Sequence, residues 1–448
     1  EEQNIYIRGE SDNKINTKDY IEFYANTEGI RVLDSLLYYN CSYLPSPYLP
    51  IFNDTIYAFI TVNNSVNNKR YQLETDTNAV LYNTMDHFYS DKVHAKYIEY
   101  NGVYENVYGV SDPRYTQAEG RGSYFNKGAS NISTFSNLEP YTTTPINATL
   151  FVNYSGATAD YSVPKDHFIR ISYSDQTLSP VILKDTSFTG FVPVRRTFTL
   201  NTQNLNSASN FTIESLPDPS IASIDNFTYL HHFRLIYPKT NECSNSSQFR
   251  LNVENSITAK GFYNFSGFNF NGTDSVLLYD ITNGKKIRVK KAGNMLRAVI
   301  PNGINMKMCY MASESKTIAV NSLRAVNGTG YFNNYKLPGV SNPYVIIHHP
   351  LTKTSSQLYQ SYRQSLQGGS FQVINANINE LFEQFAFGNN KHPVAIRNFL
   401  RFMKDSLTNP PKYVFLIGKA VGCEGLHIIE QVENLIPTMG IPSCDNLL

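Results

Sequence analysis

The stretch 342–448 constrains this chain most, because only there does the hydrophobic pattern alternate between short strand-like runs and helix-period stripes, as an α/β layer fold requires. Tyr344-Val345-Ile346-Ile347 is an apolar run that stops at His348-His349-Pro350 and reads as a strand. Leu358, Tyr362 and Leu366 then recur one helical turn apart and Gly368-Gly369 follows, which predicts an amphipathic helix with a glycine stop. Phe371-Gln372-Val373-Ile374 reads as a second strand. Ile378, Leu381, Phe382 and Phe385 keep helical spacing up to Gly388, and Pro393 opens another helix with the stripe Ile396, Phe399, Leu400, Met403 and Leu407. After Pro410-Pro411, the run 412–418 is continuously apolar from Tyr413 to Ile417, the pattern of a strand buried on both faces of a parallel sheet. In such sheets the chemistry sits at the carboxyl ends of strands. The chain reaches Leu448 just after one of those ends, so half of an α/β domain is expected.

Composition narrows the class. With 448 residues there is room for several well-filled domains. Basic and acidic residues nearly cancel, 38 against 37, and charged residues are only 17%, which argues against nucleic acid as a partner. No apolar run approaches the roughly 18 residues of a membrane helix, so no transmembrane segment is expected. Glu1-Glu2-Gln3-Asn4 carries no export signal, and any such signal would lie upstream. The cysteines, Cys41, Cys243, Cys309, Cys423 and Cys444, are odd in number and far apart, so isolated buried thiols are expected; a single pair such as Cys243 with Cys309 stays open. Sequons at Asn40, Asn131 and Asn271 read as coincidence in an Asn-rich chain.

Upstream of 342 the chain reads as mostly β. Short strands from Tyr20 to Tyr24 and from Ile56 to Val62, separated by Asn and Pro turns, suggest an amino-terminal β domain over 1–105. The polar turn 9–16 resembles a calcium loop only in composition, since Lys14 occupies a ligand position. The Gly- and Tyr-rich stretch 106–136 reads as a surface connection. Period-two alternation then appears in Leu150, Val152 and Tyr154, in Ile169, Ile171 and Tyr173, and in Phe198 and Leu200, predicting a β-sandwich over 137–240. A small β domain over 244–337 contains Asn283-Gly284, a type I′ hairpin signal. His231 and His232 are adjacent on a strand and point to opposite faces, so one metal site could use at most one of them.

Several blocks carry a family resemblance. Tyr344-Val345-Ile346-Ile347-His348-His349-Pro350, Glu383-Gln384-Phe385-Ala386-Phe387-Gly388, His392-Pro393-Val394-Ala395-Ile396-Arg397-Asn398-Phe399-Leu400, Tyr413-Val414-Phe415-Leu416-Ile417-Gly418 and Ile436-Pro437-Thr438 through Asp445-Asn446-Leu447-Leu448 stand in a fixed order. They resemble the opening of the gingipain family of cysteine peptidases, and within it the PorU-like sortase branch of type IX secretion. Asp19-Tyr20-Ile21-Glu22-Phe23-Tyr24, Leu33-Asp34-Ser35-Leu36-Leu37-Tyr38, Phe52-Asn53-Asp54-Thr55 and Arg114-Tyr115-Thr116-Gln117-Ala118-Glu119-Gly120 are similar to the amino-terminal region of the same sortases. The fold this implies is tandem β-sandwich-like domains followed, over 342–448, by the first part of an α/β gingipain-type domain.

The resemblance also implies a cysteine nucleophile activated by histidine. In the family the histidine lies in a Gly-His-Gly-type motif after a later strand, and the cysteine follows the next strand. Neither motif is in this chain, so no catalytic residue is assigned within it and the pair is expected beyond Leu448. Asp445 is the residue expected nearest the substrate cleft, with a capping role as the alternative. Cys423 and His427 would share a helical face, as a thiol–imidazole pair or, with Cys444, as zinc ligands; lone cysteines are the simpler reading. Lys419 stands where many relatives have Asp, and a lysine cannot coordinate a cation. No metal or other cofactor is therefore expected in this chain, with calcium an expectation for the parent protein alone. The resemblance further implies a cell-surface, outer-membrane-attached peptidase and transpeptidase that removes the carboxy-terminal sorting domain of secreted cargo and joins the cargo to surface lipopolysaccharide, with an outer-membrane β-barrel protein as partner. A non-catalytic surface scaffold retaining the same fold is the rival reading.

Overall fold

Strands with one apolar and one polar face must bury the apolar face, and here two sheets do so against each other. The computed structural model describes residues 2–437 apart from 11–13, 15, 26–28, 39, 53, 54, 56, 63–67, 97, 98, 102–105, 108, 109, 112–119, 175–178, 218–225, 337 and 421–433. The backbone of the β region is a long sheet containing His87–Ala95 (β1), Asn147–Gly156 (β2), Pro193–Asn201 (β3) and Phe227–Thr240 (β4), in the order β3, β2, β4, β1. A four-stranded sheet, with Ser130–Phe135, Ser209–Ser215, His167–Ser174 and Pro180–Phe188 as neighbours in that order, covers one face of it. The alternating residues read from the sequence meet between them: Leu150, Val152, Tyr154, Ile169, Ile171, Phe211, Phe233 and Tyr237 are buried in one core. Each such large side chain contributes about 1.5–3 kcal/mol of hydrophobic stabilisation.

β1 carries the same sheet onward into Gln248–Val253, Lys307–Ser313 and Val276–Asp280. There Lys260–Phe265 and Met295–Pro301 pack over it around Leu251, Tyr263, Phe265, Leu278, Leu296 and Met311. Strands from the amino-terminal stretch thus enter both sandwiches, β1 in the shared sheet and Asn83–Met85 beside Lys260–Phe265. The stretch expected to be a surface connection also contributes, as Gly120–Asn126 and Ser130–Phe135 are strands. Glycine permits this: a Cβ on Gly122 would stand 2.9 Å from the Leu230 carbonyl of β4. At 281–284 the turn differs from the expected two-residue type, because only Gly284 has positive φ; the Asp280 carboxylate accepts from the Asn283 backbone and side-chain N–H groups at 2.9 and 2.8 Å and closes a longer loop. The run 57–62, expected as a strand, has no strand partner among the described residues. The side chain of Tyr57 packs over Gly388.

The last segment forms a three-layer fragment. Tyr344–His348 (β5) is the central strand, flanked by Val373–Asn377 (β6) and Tyr413–Ile417 (β7), all parallel. Preceded by Gly29–Ser35 (α1) far upstream, the helices are Lys353–Gln364 (α2), Ile378–Phe385 (α3) and Val394–Ser406 (α4). Val345, Ile347, Ile374 and Ala376 face α3 and α4 and share a core with Leu381, Phe382, Phe399 and Met403, matching the helical stripes read from the sequence. The opposite face differs. Tyr344, Tyr359, Tyr413 and Phe415 form an aromatic cluster there, and Tyr413 and Phe415 are half exposed, so β7 is buried on one face rather than two. α2 is also turned outward: Leu358, Tyr362 and Leu366 are exposed, while Ser356 and Gln360 face the sheet and accept hydrogen bonds from the Asn375 amide. These polar contacts, rather than the apolar stripe, fix its orientation.

The amino terminus is bolted onto this fragment. Leu33, Leu37, Tyr38, Ile51 and Phe52 pack with Val394 at the start of α4. At their centre Asp34 and His392 are both buried. The Asp34 carboxylate accepts from the Ile51 N–H at 2.9 Å and from His392 Nε2 at 3.1 Å, while His392 Nδ1 accepts the Val394 N–H at 3.2 Å. An uncompensated buried charge or ring nitrogen is costly. Asp34→Ala and His392→Ala should each lower unfolding stability by about 2–4 kcal/mol in urea titrations, while Arg401→Ala, which removes an exposed pair with Asp405, leaves the midpoint in place. Equal midpoints for all three variants would show that the buried pair holds nothing together.

Candidate functional site

The path of the chain through the parallel sheet defines one special position. From β5 the chain crosses through α2 on one face to β6, then through α3 and α4 on the other face to β7, on the far side of β5. Connections that diverge to opposite faces leave a crevice at the carboxyl ends of the strands, here between β5 and β7. His348 and His349 stand at the end of β5, and Gly418 and Lys419 at the end of β7.

Hydrogen bonds tie this edge together. His348 is buried, and its Nδ1–H donates to Asn375 Oδ1 at 2.7 Å, an orientation fixed because the Asn375 amino group is given to Ser356 and Gln360. His349 Nδ1 accepts the Leu351 N–H at 3.2 Å and caps the turn before α2. Thr352 Oγ1 lies 3.0 Å from the Ile417 carbonyl and so joins the two strand ends. Burial pushes both histidines below their usual range, so at neutral pH the edge presents uncharged imidazoles. At β7 the Lys419 carbonyl accepts from the Leu435 and Ile436 N–H groups, and buried Ile436 sits where a Cβ on Gly418 would be, 2.5 Å away. Asn375 was not legible as a site residue; its only signal is an Asn-Ala-Asn end to an otherwise apolar strand. The edge can bind and orient a polar group but holds no nucleophile among the described residues.

Cys423, His427, Cys444 and Asp445 lie outside the described residues, as do residues 112–119 and parts of the polar turn at 9–16. Elsewhere the candidate chemistry resolves into scaffold. His231 and His232 take different surroundings, as adjacent strand residues must. His231 Nε2 lies 2.9 Å from Ser155 Oγ and its Nδ1 2.8 Å from the Arg121 carbonyl, which has the form of a nucleophile and base, but His231 and Ser155 are fully buried and no substrate reaches them. Among the described residues no three His, Cys, Asp or Glu side chains gather as a metal site. Cys41, Cys243 and Cys309 are unpaired. Burial pushes the Cys243 thiol up to about 12 and Cys309 well above its usual value, which leaves both inert as nucleophiles. No helix among the described residues is long and apolar enough to cross a membrane.

Comparison with known proteins finds a family match over the segment that contains the candidate edge. Residues 338–448 match the model of Peptidase family C25. Among solved structures, the chain is similar to dimeric latent PorU from Porphyromonas gingivalis, at 12% identity and a TM-score of 0.49, over 76% of this chain and 31% of that one. The chain therefore spans less than a third of that protein's length. The CBM22-1 xylan-binding domain of Xyn10C from Paenibacillus barcinonensis aligns over 27% of this chain and 88% of its own, at 8% identity and a TM-score of 0.16. No curated protein matches.

The buried histidines of the β region make stability depend on pH. Burial lowers His231 from 6.5 to about 4, so the unfolded chain binds a proton that the folded chain refuses. Stability is then fully present above about 6.5 and falls as pH drops from there toward about 4. Urea midpoints measured across this window should decline, and should decline less in His231→Gln; parallel slopes in the two proteins would rule out His231 as the source.

Proposed function

We propose that this chain is the amino-terminal part of a type IX secretion sortase, a gingipain-type cysteine peptidase and transpeptidase acting at the outer cell surface. The observation that carries this reading is the match of 338–448 to Peptidase family C25, falling on a parallel sheet whose switch-point crevice opens at His348, His349 and Gly418. In this reading the complete protein supplies the histidine and cysteine from sequence following the chain. The cysteine thiolate attacks the peptide bond before the carboxy-terminal sorting domain of a secreted cargo, the histidine protonates the departing amine, and the cargo is held as a thioester. An amine on surface lipopolysaccharide then displaces the thiol, leaving the cargo attached by an amide.

The roles left to the described residues are positional. The Asp34–His392 lock and the α3/α4 core hold β5 and β7, and the uncharged His348–Asn375 pair lines the edge without competing for the catalytic proton. The β-sandwiches would position cargo or a β-barrel partner. In the complete protein, Asp445 would lie nearest the cleft, and calcium would belong to later sequence.

The test uses the complete protein with a purified cargo that carries its sorting domain. Release of the sorting domain is expected, together with labelling by a thiol-reactive peptide probe, and both should vanish when the single labelled cysteine is changed to alanine. The chain 1–448 alone should release nothing. Cargo that binds but is never cleaved by the complete protein would favour the non-catalytic scaffold instead.

A further inference from the structure

The outer face of the shared sheet, opposite the sandwich core, is crossed by residues 41–48, which enclose a cleft of about 540 Å³ against β2, β3 and β4. Strand register sets out what lies at its base. Asn153 of β2 is paired with Arg195 of β3 on one side and His232 of β4 on the other, and the next outward-facing row is Thr197, Phe151 and Arg234. Cross-strand neighbours of this kind stand close enough to act on one ligand group.

The members of these rows differ in what they have left to give. The Arg234 guanidinium is committed: it meets Asp91 through two hydrogen bonds of 2.9 and 2.6 Å and lies 5.4 and 5.9 Å from the ring centres of Phe151 and Tyr48. Arg195 is exposed and donates to the Ser42 and Leu44 carbonyls, but among the described residues no carboxylate pairs with it and no Asp or Glu lines the cleft. Asn153 is 4% exposed; its amide donates to the Pro45 carbonyl and its Oδ1 has no partner. His232 is 7% exposed, its ring edge meets Tyr48, and its Nδ1 has no partner. Burial first, then the neighbouring His231, Arg195 and Arg234, push His232 down to about 3, so it is neutral. Buried polar atoms left without partners are costly and rare. A net positive charge therefore stands beside two unfilled hydrogen-bonding positions in a cleft of ligand size.

We infer that this cleft is a docking site for a short acidic peptide segment, whose carboxylate pairs with Arg195 and whose adjacent backbone N–H donates to Asn153 Oδ1, with His232 Nδ1 beside them. A peptide suits the cleft better than an acidic sugar. Both aromatic rings that a sugar could stack on, Tyr48 and Phe151, already face the Arg234 guanidinium, while the wall of the cleft is itself polypeptide whose Ser42 and Leu44 backbone carbonyls are held by Arg195. The site lies on the β-sandwich, apart from the carboxyl edge of the parallel sheet, and does not depend on the peptidase reading.

Fluorescence anisotropy with a fluorescein-labelled hexapeptide of alternating Gly and Glu, titrated with the full chain, tests the assignment. Binding that weakens with salt is expected, and the matching Gly-Gln peptide should bind at least about tenfold more weakly. Arg195→Gln removes the charge but keeps an amide donor for the cleft wall. Thr197→Glu adds a repelling carboxylate in the next row without touching that wall. Each should weaken binding at least about tenfold with an unchanged melting temperature; if Arg195→Gln lowers the melting temperature, Thr197→Glu decides. No binding, equal binding of the Gln peptide, or unchanged binding in Thr197→Glu would overturn the site. Binding of a glucuronate oligosaccharide in place of the peptide would overturn the peptide assignment.

Discussion

A carboxylate taken out of water has to be compensated, and Asp34 meets that requirement with a partner from the far end of the chain. It sits 358 residues from His392, its partner across the molecule, and both are shielded from solvent. With the Ile51 N–H on its other oxygen and the Val394 N–H on the far nitrogen of the imidazole, the pair forms a short closed relay. Its geometry leaves one place for the amino-terminal helix, against the start of α4. Everything the parallel sheet presents at its carboxyl edge depends on α4 and α3 being held flat against β5, β6 and β7. The amino terminus therefore acts as part of the α/β fragment rather than as a separate appendage.

The two faces of that fragment are built by different physics. One is sealed by aliphatic and aromatic packing around Phe399 and Phe382. The other is polar near the strand ends and aromatic farther back, with α2 held by the hydrogen bonds from Asn375 and with Tyr413 and Phe415 left partly exposed. A fully packed second face would close the edge. A polar, hydrogen-bonded one leaves His348 and His349 oriented, neutral and close to the crevice. The β region answers a different need, since one continuous sheet through β1 couples two sandwich cores and carries on its outer face the exposed Arg195 beside the buried Asn153.

Much of this was legible in the sequence because burial leaves a periodic trace. The period-two runs at Leu150, Ile169 and Leu200 gave their strands, the stripes at Ile378 and Ile396 gave α3 and α4, and the apolar runs at Val345 and Val414 gave β5 and β7. Periodicity names a face but not what lies opposite it. Leu358 and Tyr362 therefore marked a helix correctly while pointing outward, and Tyr413 and Phe415 looked like residues of a fully covered strand. Contacts remote in sequence left no such trace. The Asp34–His392 lock and the row Arg195, Asn153, His232 depend on register, the latter on a bulge between Asn153 and Tyr154 that no pattern announces. The candidate residues Cys423, His427, Cys444 and Asp445 fall outside the described part of the chain.

The carboxyl edge of the parallel sheet has a catalytic meaning only if the natural protein carries a nucleophile and base to complete it. The intact mass of that protein, taken from its native source, tests this most directly. A mass well above 50.7 kDa is expected, with the surplus accounted for by sequence following Leu448. A mass of about 50.7 kDa would contradict the peptidase reading and leave a binding scaffold built on a gingipain-like fragment.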